Sequence, residues 1–341
     1  MTKQTDTNLE DWRARALACD SEIKKAIIGQ DRSIRLLLIT VFARGHALLE
    51  GDVGVGKTTL LRALARVIGG DYERIEGTID LMPNDLIYHT YINEEGRPAV
   101  DPGPILRHGD KLATFFFNEV NRARPQVHSL LLRVMAERSV TAFNREFRFP
   151  HLQVFADRNR VEKEETFELP AAARDRFLME LNIQMPEALE LQRELMFNAK
   201  FFDVDALIGN LSEGVVPFDQ LNDISSLIQQ GIQTSDTIEQ YALEICAATR
   251  DPSKYDVKLE GVDMEKLVNS GVSPRGMGMF IRAAKVAAWL KGRDALLPED
   301  LHEVVHETIA HRVFFNPVYE LHRSEIIGDF MQRILNKVAS P

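Results

Sequence analysis

Cysteine is scarce: only Cys19 and Cys246 occur in 341 residues, far apart and in neither a Cys-x-x-Cys pair nor a zinc spacing. That excludes a disulfide framework and a structural zinc site, and two reduced thiols fit a cytosolic address. Long apolar runs are missing too, since no window approaches the run of about 18 residues that spans a membrane. The opening stretch MTKQTDTNLEDWRARAL has no apolar signal core, so the expectation is a cytoplasmic protein with no membrane segment. Basic residues are in the minority, 41 against 51 acidic for a net charge of −10, and they are scattered. An acidic chain without a basic run is a poor binder of nucleic-acid backbone. Internal repeats and low-complexity tracts are absent as well.

What is present is apolar material for packed cores, 45% of the chain, enough for one large domain and a smaller one. Ile23, Ile27, Ile34, Leu37, Leu38 and Val41 recur at helical spacing, predicting two helices broken at Gly29-Gln30. HALLEG reads as a short buried strand, and Thr58 to Ile68 as a helix with Leu60, Leu61, Leu64 and Val67 on its inner face. RIEGTIDLMPNDL is a strand with a polar exit, and YHTYINEEGRPAV a hairpin turning at Glu94 to Gly96. KLATFFFNE is a buried strand, and Pro125 opens a helix. SVTAFNREFRFP is a second hairpin with Asn144 and Arg145 at its tip, LQVFADRN another buried strand, and Ala171 to Phe177 a short helix. Strands alternating with helices imply an α/β fold, a parallel sheet covered by helices on both faces. Beyond Pro186 every legible segment reads as helix. The expected division is a helical lead-in over 1–28, an α/β core over 29–185 and a helical lid with C-terminal helices over 186–341.

Gly51-Asp52-Val53-Gly54-Val55-Gly56-Lys57-Thr58 fits G-x-x-x-x-G-K-[ST] in full, between an apolar strand and a leucine-faced helix. Glycines let backbone N–H groups wrap a β-phosphate, Lys57 reaches the β- and γ-phosphates, and the Thr58 hydroxyl can ligate Mg²⁺. Asp52, Val53, Gly54, Val55, Gly56, Lys57, Thr58 and Thr59 are the expected contacts to ATP. A second strand must bring carboxylates to the metal and the attacking water; FFFNE supplies Glu119 to orient or deprotonate water. Asn118 takes the metal side with Thr58. Its amide can accept a hydrogen bond from metal-bound water but carries no charge, so slow turnover is expected. Asn159, at the end of VFADRN, is suited to position the water.

Arg174 and Arg176 fall at the end of the core, where either a surface ion pair or a neighbouring subunit's γ-phosphate could engage a guanidinium. Ser273 caps and Pro274 opens the next helix, so Arg275 sits in a first turn. A cation is electrostatically misplaced there, which an anionic partner would explain. No N-K-x-D pattern suggests guanine nucleotide.

The chained segments DPGPILRHGD, NEVNRARPQVHSLLLRVMAERSVT, ADRNRVEKEETFELPAAARDRF and GVSPRGMGMFIRAAKVAAWLKGRDALLPEDL, with the glycine loop and RIEGTIDLMPNDL, resemble the MoxR family of AAA+ ATPases. The likeness runs from about Gly29 to Arg312, within the clade that carries an extra hairpin before the metal strand. It implies a P-loop NTPase core with Lys57 and Thr58 as Walker A, Asn118 and Glu119 as Walker B, Asn159 as sensor 1, Arg176 ahead of Arg174 as arginine finger, and Arg275 as sensor 2. It also implies a hexameric ring that hydrolyses ATP with Mg²⁺ to remodel a client protein, working with a partner bearing a von Willebrand factor A domain to mature a complex or metalloenzyme. Asn118 stands where the family has Asp, Asp157 where it usually has Thr, and Arg160 where a Pro is usual. A nucleotide-gated scaffold that scarcely turns over, and a metal-chelatase-like motor subunit, share the same nucleotide residues. Tyr88, Tyr91, Phe143 and Phe147 on the two hairpins are candidates for client contact or for ordinary hairpin packing.

Overall fold

The computed structural model describes residues 8–159 and 167–341. Arg160 and the first part of the acidic loop lie outside them. Asn8 accepts the Glu10 N–H and so caps α1 (Leu9–Ile23), which α2 (Asp31–Phe42) follows. All six apolar positions that predicted these helices are buried. The break falls at Gly29, whose φ of +72° favours glycine and where an added Cβ would strike Pro186.

The core continues with β1 (Ala47–Gly51), α3 (Lys57–Ile68), β2 (Asp71–Glu76), β3 (Tyr88–Ile92), β4 (Pro98–Pro102), β5 (Leu112–Asn118) and α4 (Pro125–Glu137). Then come β6 (Ser139–Ala142), β7 (Arg145–Arg148), β8 (Gln153–Asn159), α5 (Ala171–Arg174) and β9 (Met179–Asn182). Five strands pair in parallel in the order β2-β5-β8-β1-β9. Every residue of β5 is buried, which requires cover on both faces. Phe116 and Phe155 join the cluster built on α1, α2 and α3, while Phe115, Phe117, Val154 and Ala156 face the cluster holding Val127, Leu131 and Val134 of α4. Parallel pairing therefore delivers the C-terminal ends of four adjacent strands to one edge of the sheet, with Glu76 opposite Asn118 and Gly51 opposite Asn159.

Both hairpins form. Across β3 and β4 the Asn93 side chain accepts the Glu95 and Arg97 N–H groups, which sets the turn where expected. Across β6 and β7, Arg145 pairs with Ala142, so the tip is Phe143-Asn144 rather than Asn144-Arg145. Both tip residues have positive φ, 52° and 57°, the backbone that matches the twist of a two-residue hairpin. Phe143 is 50% exposed and its ring lies 4.8 Å from that of Tyr88, joining the two hairpins, whereas Phe147 packs against the core.

The remainder is mainly helical: α6 (Leu189–Phe197), α7 (Val204–Gly209), α8 (Leu221–Gly231), α9 (Asp236–Ala248), α10 (Met264–Leu267), β10 (Val268–Ser270), α11 (Pro274–Leu290), α12 (Pro298–Ile309), β11 (Phe314–Phe315), α13 (Pro317–Glu320) and α14 (Arg323–Lys337). β10 and β11 form a small antiparallel pair that the sequence did not suggest. The first part returns to the core, since Gly214 and Val215 donate to the Arg66 and Val67 carbonyls at the end of α3. The Trp289 indole of α11 donates to the Leu9 carbonyl, tying the lead-in to the later helices.

Asp175 joins the core to α11 and to Arg312. Its Oδ1 accepts from Ser273 Oγ at 2.6 Å and Arg312 Nε at 3.2 Å, and its Oδ2 from an Arg275 Nη at 2.8 Å. Arg312 is fully buried and spends its other N–H groups on the carbonyls of Asp175, Phe177, Leu178 and Thr308. Removing the counter-charge of a buried ion costs more than the pair contributes. Asp175→Ala should lose about 3 kcal/mol in urea denaturation and Asp175→Asn clearly less; an Asp175→Ala protein as stable as its parent would show that packing alone holds the joint.

Candidate nucleotide site

Gly51 ends β1 so close to the Ile183 carbonyl that a Cβ would stand 2.3 Å from its oxygen. Gly54 and Gly56 have φ of +82° and +88°, with open space where their side chains would be. The loop thus presents backbone, not side chains, to whatever lies over it. Gly56 starts α3 without a side-chain cap, which leaves the N–H groups of the first turn, Lys57 to Thr59, available to an anion.

Lys57 is 6% exposed, and its ammonium donates to the Gly51 carbonyl at 2.7 Å, the Asp52 carbonyl at 3.2 Å and Asn159 Oδ1 at 2.6 Å. Burial pulls its pKa down from the usual lysine value, against the opposing pull of Asp157, whose Oδ2 lies 3.8 Å away. Asn159 turns its amide to Glu119 Oε1 at 3.2 Å, so one side chain spans the lysine and the carboxylate. Glu119 itself adopts φ 52° and ψ 48°, an uncommon backbone for a residue with a Cβ. Asp157 Oδ1 accepts its N–H at 2.6 Å, and Arg122 donates to its Oε2 at 2.9 Å. A buried carboxylate at 157 thus holds the turn that carries Glu119.

On the other side of α3, Thr58 Oγ1 stands 3.5 Å from Asn118 Oδ1, and the Asn118 amide donates to Glu76 Oε1 at 2.9 Å. Glu76 escaped the sequence reading. A single acidic residue ending a strand carries no signal until the register puts it beside Asn118. Among the described residues no group of three His, Cys, Asp or Glu is poised for a metal. That suits Mg²⁺ with a nucleotide, which keeps water and phosphate oxygens and needs one or two protein ligands. The open cradle, the buried ammonium and the hydroxyl–amide–carboxylate row fit such a ligand, and bound Mg²⁺ would neutralise charge on the phosphates.

The three arginines lie elsewhere. Asp175 and its flanking Arg174 and Arg176 precede β9, at the end of the sheet where Met179 pairs with Ala47. Gly51 is roughly 13 Å further along β1. Arg174 is buried, 3.8 Å from Glu180 and over the ring of Phe314. Arg176 donates to the Ala172 carbonyl, and the half-exposed Arg275 is held by Asp175.

A parallel sheet in this strand order, with a glycine loop leading into a helix and polar groups on the ends of the neighbouring strands, defines a P-loop nucleotide-binding protein followed by a helical lid. Comparison with known families agrees: residues 46–179 match the ATPase family associated with various cellular activities (AAA), and residues 263–329 match the AAA lid domain. Protein MoxR of Methylorubrum extorquens is 56% identical over 98% of both chains, and Protein MoxR of Paracoccus denitrificans 53% over 94% of this chain and 95% of its own. Chaperone MoxR1 of Mycobacterium tuberculosis is 34% identical over 94% of this chain and 81% of its own. A crystal structure from Cytophaga hutchinsonii superposes with a TM-score of 0.81 at 30% identity, covering 98% of this chain and 97% of that one. The chain belongs to the MoxR family of AAA+ ATPases, chaperone-like ATPases with an α/β core and a helical C-terminal part. No helix among the described residues is long and apolar enough to cross a membrane.

Asp157 is 2% exposed, and burial raises its pKa from 3.8 to about 6, against the Glu119 N–H and Lys57 that favour its charge. The folded state therefore holds this proton more tightly than the unfolded chain does. Its charged form costs stability that sets in as pH rises from the unfolded value through about 6 and is fully felt above it. Asp157→Asn, which keeps an acceptor for Glu119, should melt higher than the parent at neutral pH and identically near the unfolded carboxylate pKa. An equal or lower melting temperature at neutral pH would mean that attraction to Lys57 outweighs burial.

Proposed function

We propose that this protein hydrolyses ATP with Mg²⁺ as a hexameric, cytoplasmic ring and uses turnover to remodel a client. The observation that carries the reading is the convergence of Lys57, Asn159, Glu119, Thr58 and Asn118 on the loop from Asp52 to Thr59. Glu119, fixed by Asp157 and aligned by Asn159, orients water and takes its proton. Thr58 would hold Mg²⁺, with the Asn118 oxygen beside its hydroxyl as a neutral acceptor. Arg176 and Arg275 serve the nucleotide of the adjacent subunit, a role supported by the strand length between them and Lys57 of their own chain; the burial of Arg174 favours Arg176 as the finger.

Assembly has further support in the surface. Met185, Leu189, Met196, Phe197 and Phe202 are exposed along one short stretch, the kind of apolar area that a neighbouring subunit covers. Tyr91 and Phe143 project from the hairpins and are suited to grip a client. The name of the Mycobacterium relative supports the chaperone role, and the family likeness supports a partner with a von Willebrand factor A domain and a complex or metalloenzyme as client. One observation favours a second reading, a nucleotide-gated scaffold with slow turnover: the amide of Asn118 is neutral.

Steady-state ATPase and native mass with ATP and Mg²⁺ separate these readings. Lys57→Ala and Glu119→Gln should each lower turnover about a hundredfold or more, and the parent should run as a hexamer at micromolar protein. A parent that binds ATP, turns over no faster than Glu119→Gln and stays monomeric would overturn the motor reading.

A further inference from the structure

The neutral residue at 118 does not leave the metal side of the site uncharged. We propose that Glu76 is the metal-side carboxylate of this protein, its charge moved one strand across from 118, with Asn118 as its positioning partner. The inference rests on the nucleotide site described above and deepens it.

Three observations carry it. First, β2 and β5 pair in parallel with Glu76 directly opposite Asn118, and residues in register across parallel strands send their side chains to the same face of the sheet. Glu76 therefore ends its strand at the edge of the sheet where the P-loop begins.

Second, the hydrogen bonds admit one orientation of Asn118. A carboxylate only accepts, so the NH₂ of Asn118 must face Glu76 Oε1, 2.9 Å away, and its oxygen must face the Thr58 hydroxyl at 3.5 Å. Thr58, Asn118 and Glu76 thus form a row in which the amide is the spacer and the carboxylate the charge. An aspartate at 118 would set two carboxylates against each other, and like charges that close oppose joint ionisation.

Third, the other carboxylates bonded into the site are committed. Glu119 is held by Asn159 and Arg122, and Asp157 is buried under the Glu119 N–H beside Lys57. Glu76 has 56% of its side chain exposed, and among the described residues its second oxygen is paired with Arg74, at 3.2 Å, on the surface. Exposed pairs of this kind are weak and readily exchanged. A half-exposed carboxylate suits an ion that keeps its water, since Mg²⁺ is commonly held through one or two carboxylates and several waters.

The test reads metal binding, not turnover. Mn²⁺ affinity of the ADP complex is measured by electron paramagnetic resonance, beside fluorescent ADP binding, for the parent, Glu76→Gln, Asn118→Asp and the exchange of both. Outer-shell carboxylates typically contribute 10- to 100-fold in metal affinity, so Glu76→Gln should weaken Mn²⁺ about tenfold. Asn118→Asp alone should not tighten it, and the double exchange should recover the parental value, a rescue that a merely structural side chain does not produce. Unchanged Mn²⁺ affinity in Glu76→Gln, with ADP still bound, overturns the inference and leaves the nucleotide site standing; so does a folded double variant that fails to recover. A parent that binds no ADP overturns both.

Discussion

Parallel register is the constraint on which the site depends. Gly51 opposite Asn159 brings a backbone carbonyl and an amide to the same ammonium, and Glu76 opposite Asn118 brings a carboxylate to the Asn118 amide. A slip of one residue in either ladder would turn these side chains to the wrong face. The register is held by burial on both sides of the central strands, where Phe116 and Phe155 point into one core and Phe115 and Phe117 into the other. The chemistry at the strand ends is therefore a consequence of aromatic packing in their middles.

Three buried cations inside the molecule are each held by fixed oxygen. Lys57 takes two carbonyls and an amide oxygen, and Arg312 takes backbone carbonyls and Asp175. Arg44, buried under the sheet, is held by Asn222, Gln153 and the His151 carbonyl. A buried charge without such partners would lose its proton or unfold its surroundings. Asp175 differs from the rest, because one of its partners is the half-exposed Arg275. The same carboxylate that fastens the lid through Ser273 and Arg312 thus also holds an arginine that faces solvent.

Much of this was legible before any coordinates. The glycine loop, the buried strands and the helix faces declare themselves because apolar periodicity and glycine chemistry act over short stretches, and Leu60, Leu61, Leu64 and Val67 are buried as their spacing required. The hairpin tip was misplaced by one residue because a phenylalanine in a left-handed turn violates local preference and is held there by pairing and by Tyr88. The β10–β11 pair was invisible because two and three residues carry no period.

By itself the sequence determined the P-loop and the class of fold, and it singled out Lys57, Thr58, Asn118, Glu119 and Asn159, since each sits at a fixed offset from a recognisable strand or turn. Only the tertiary structure decided which side chains meet. Glu76 and Asp157 joined the site, Arg174 withdrew into the core, and Arg176 and Arg275 came to rest a strand length from their own chain's Lys57. The physical reason is that register and lid packing are long-range: they depend on burial summed over residues far apart in the chain, and no local pattern records where those residues will touch.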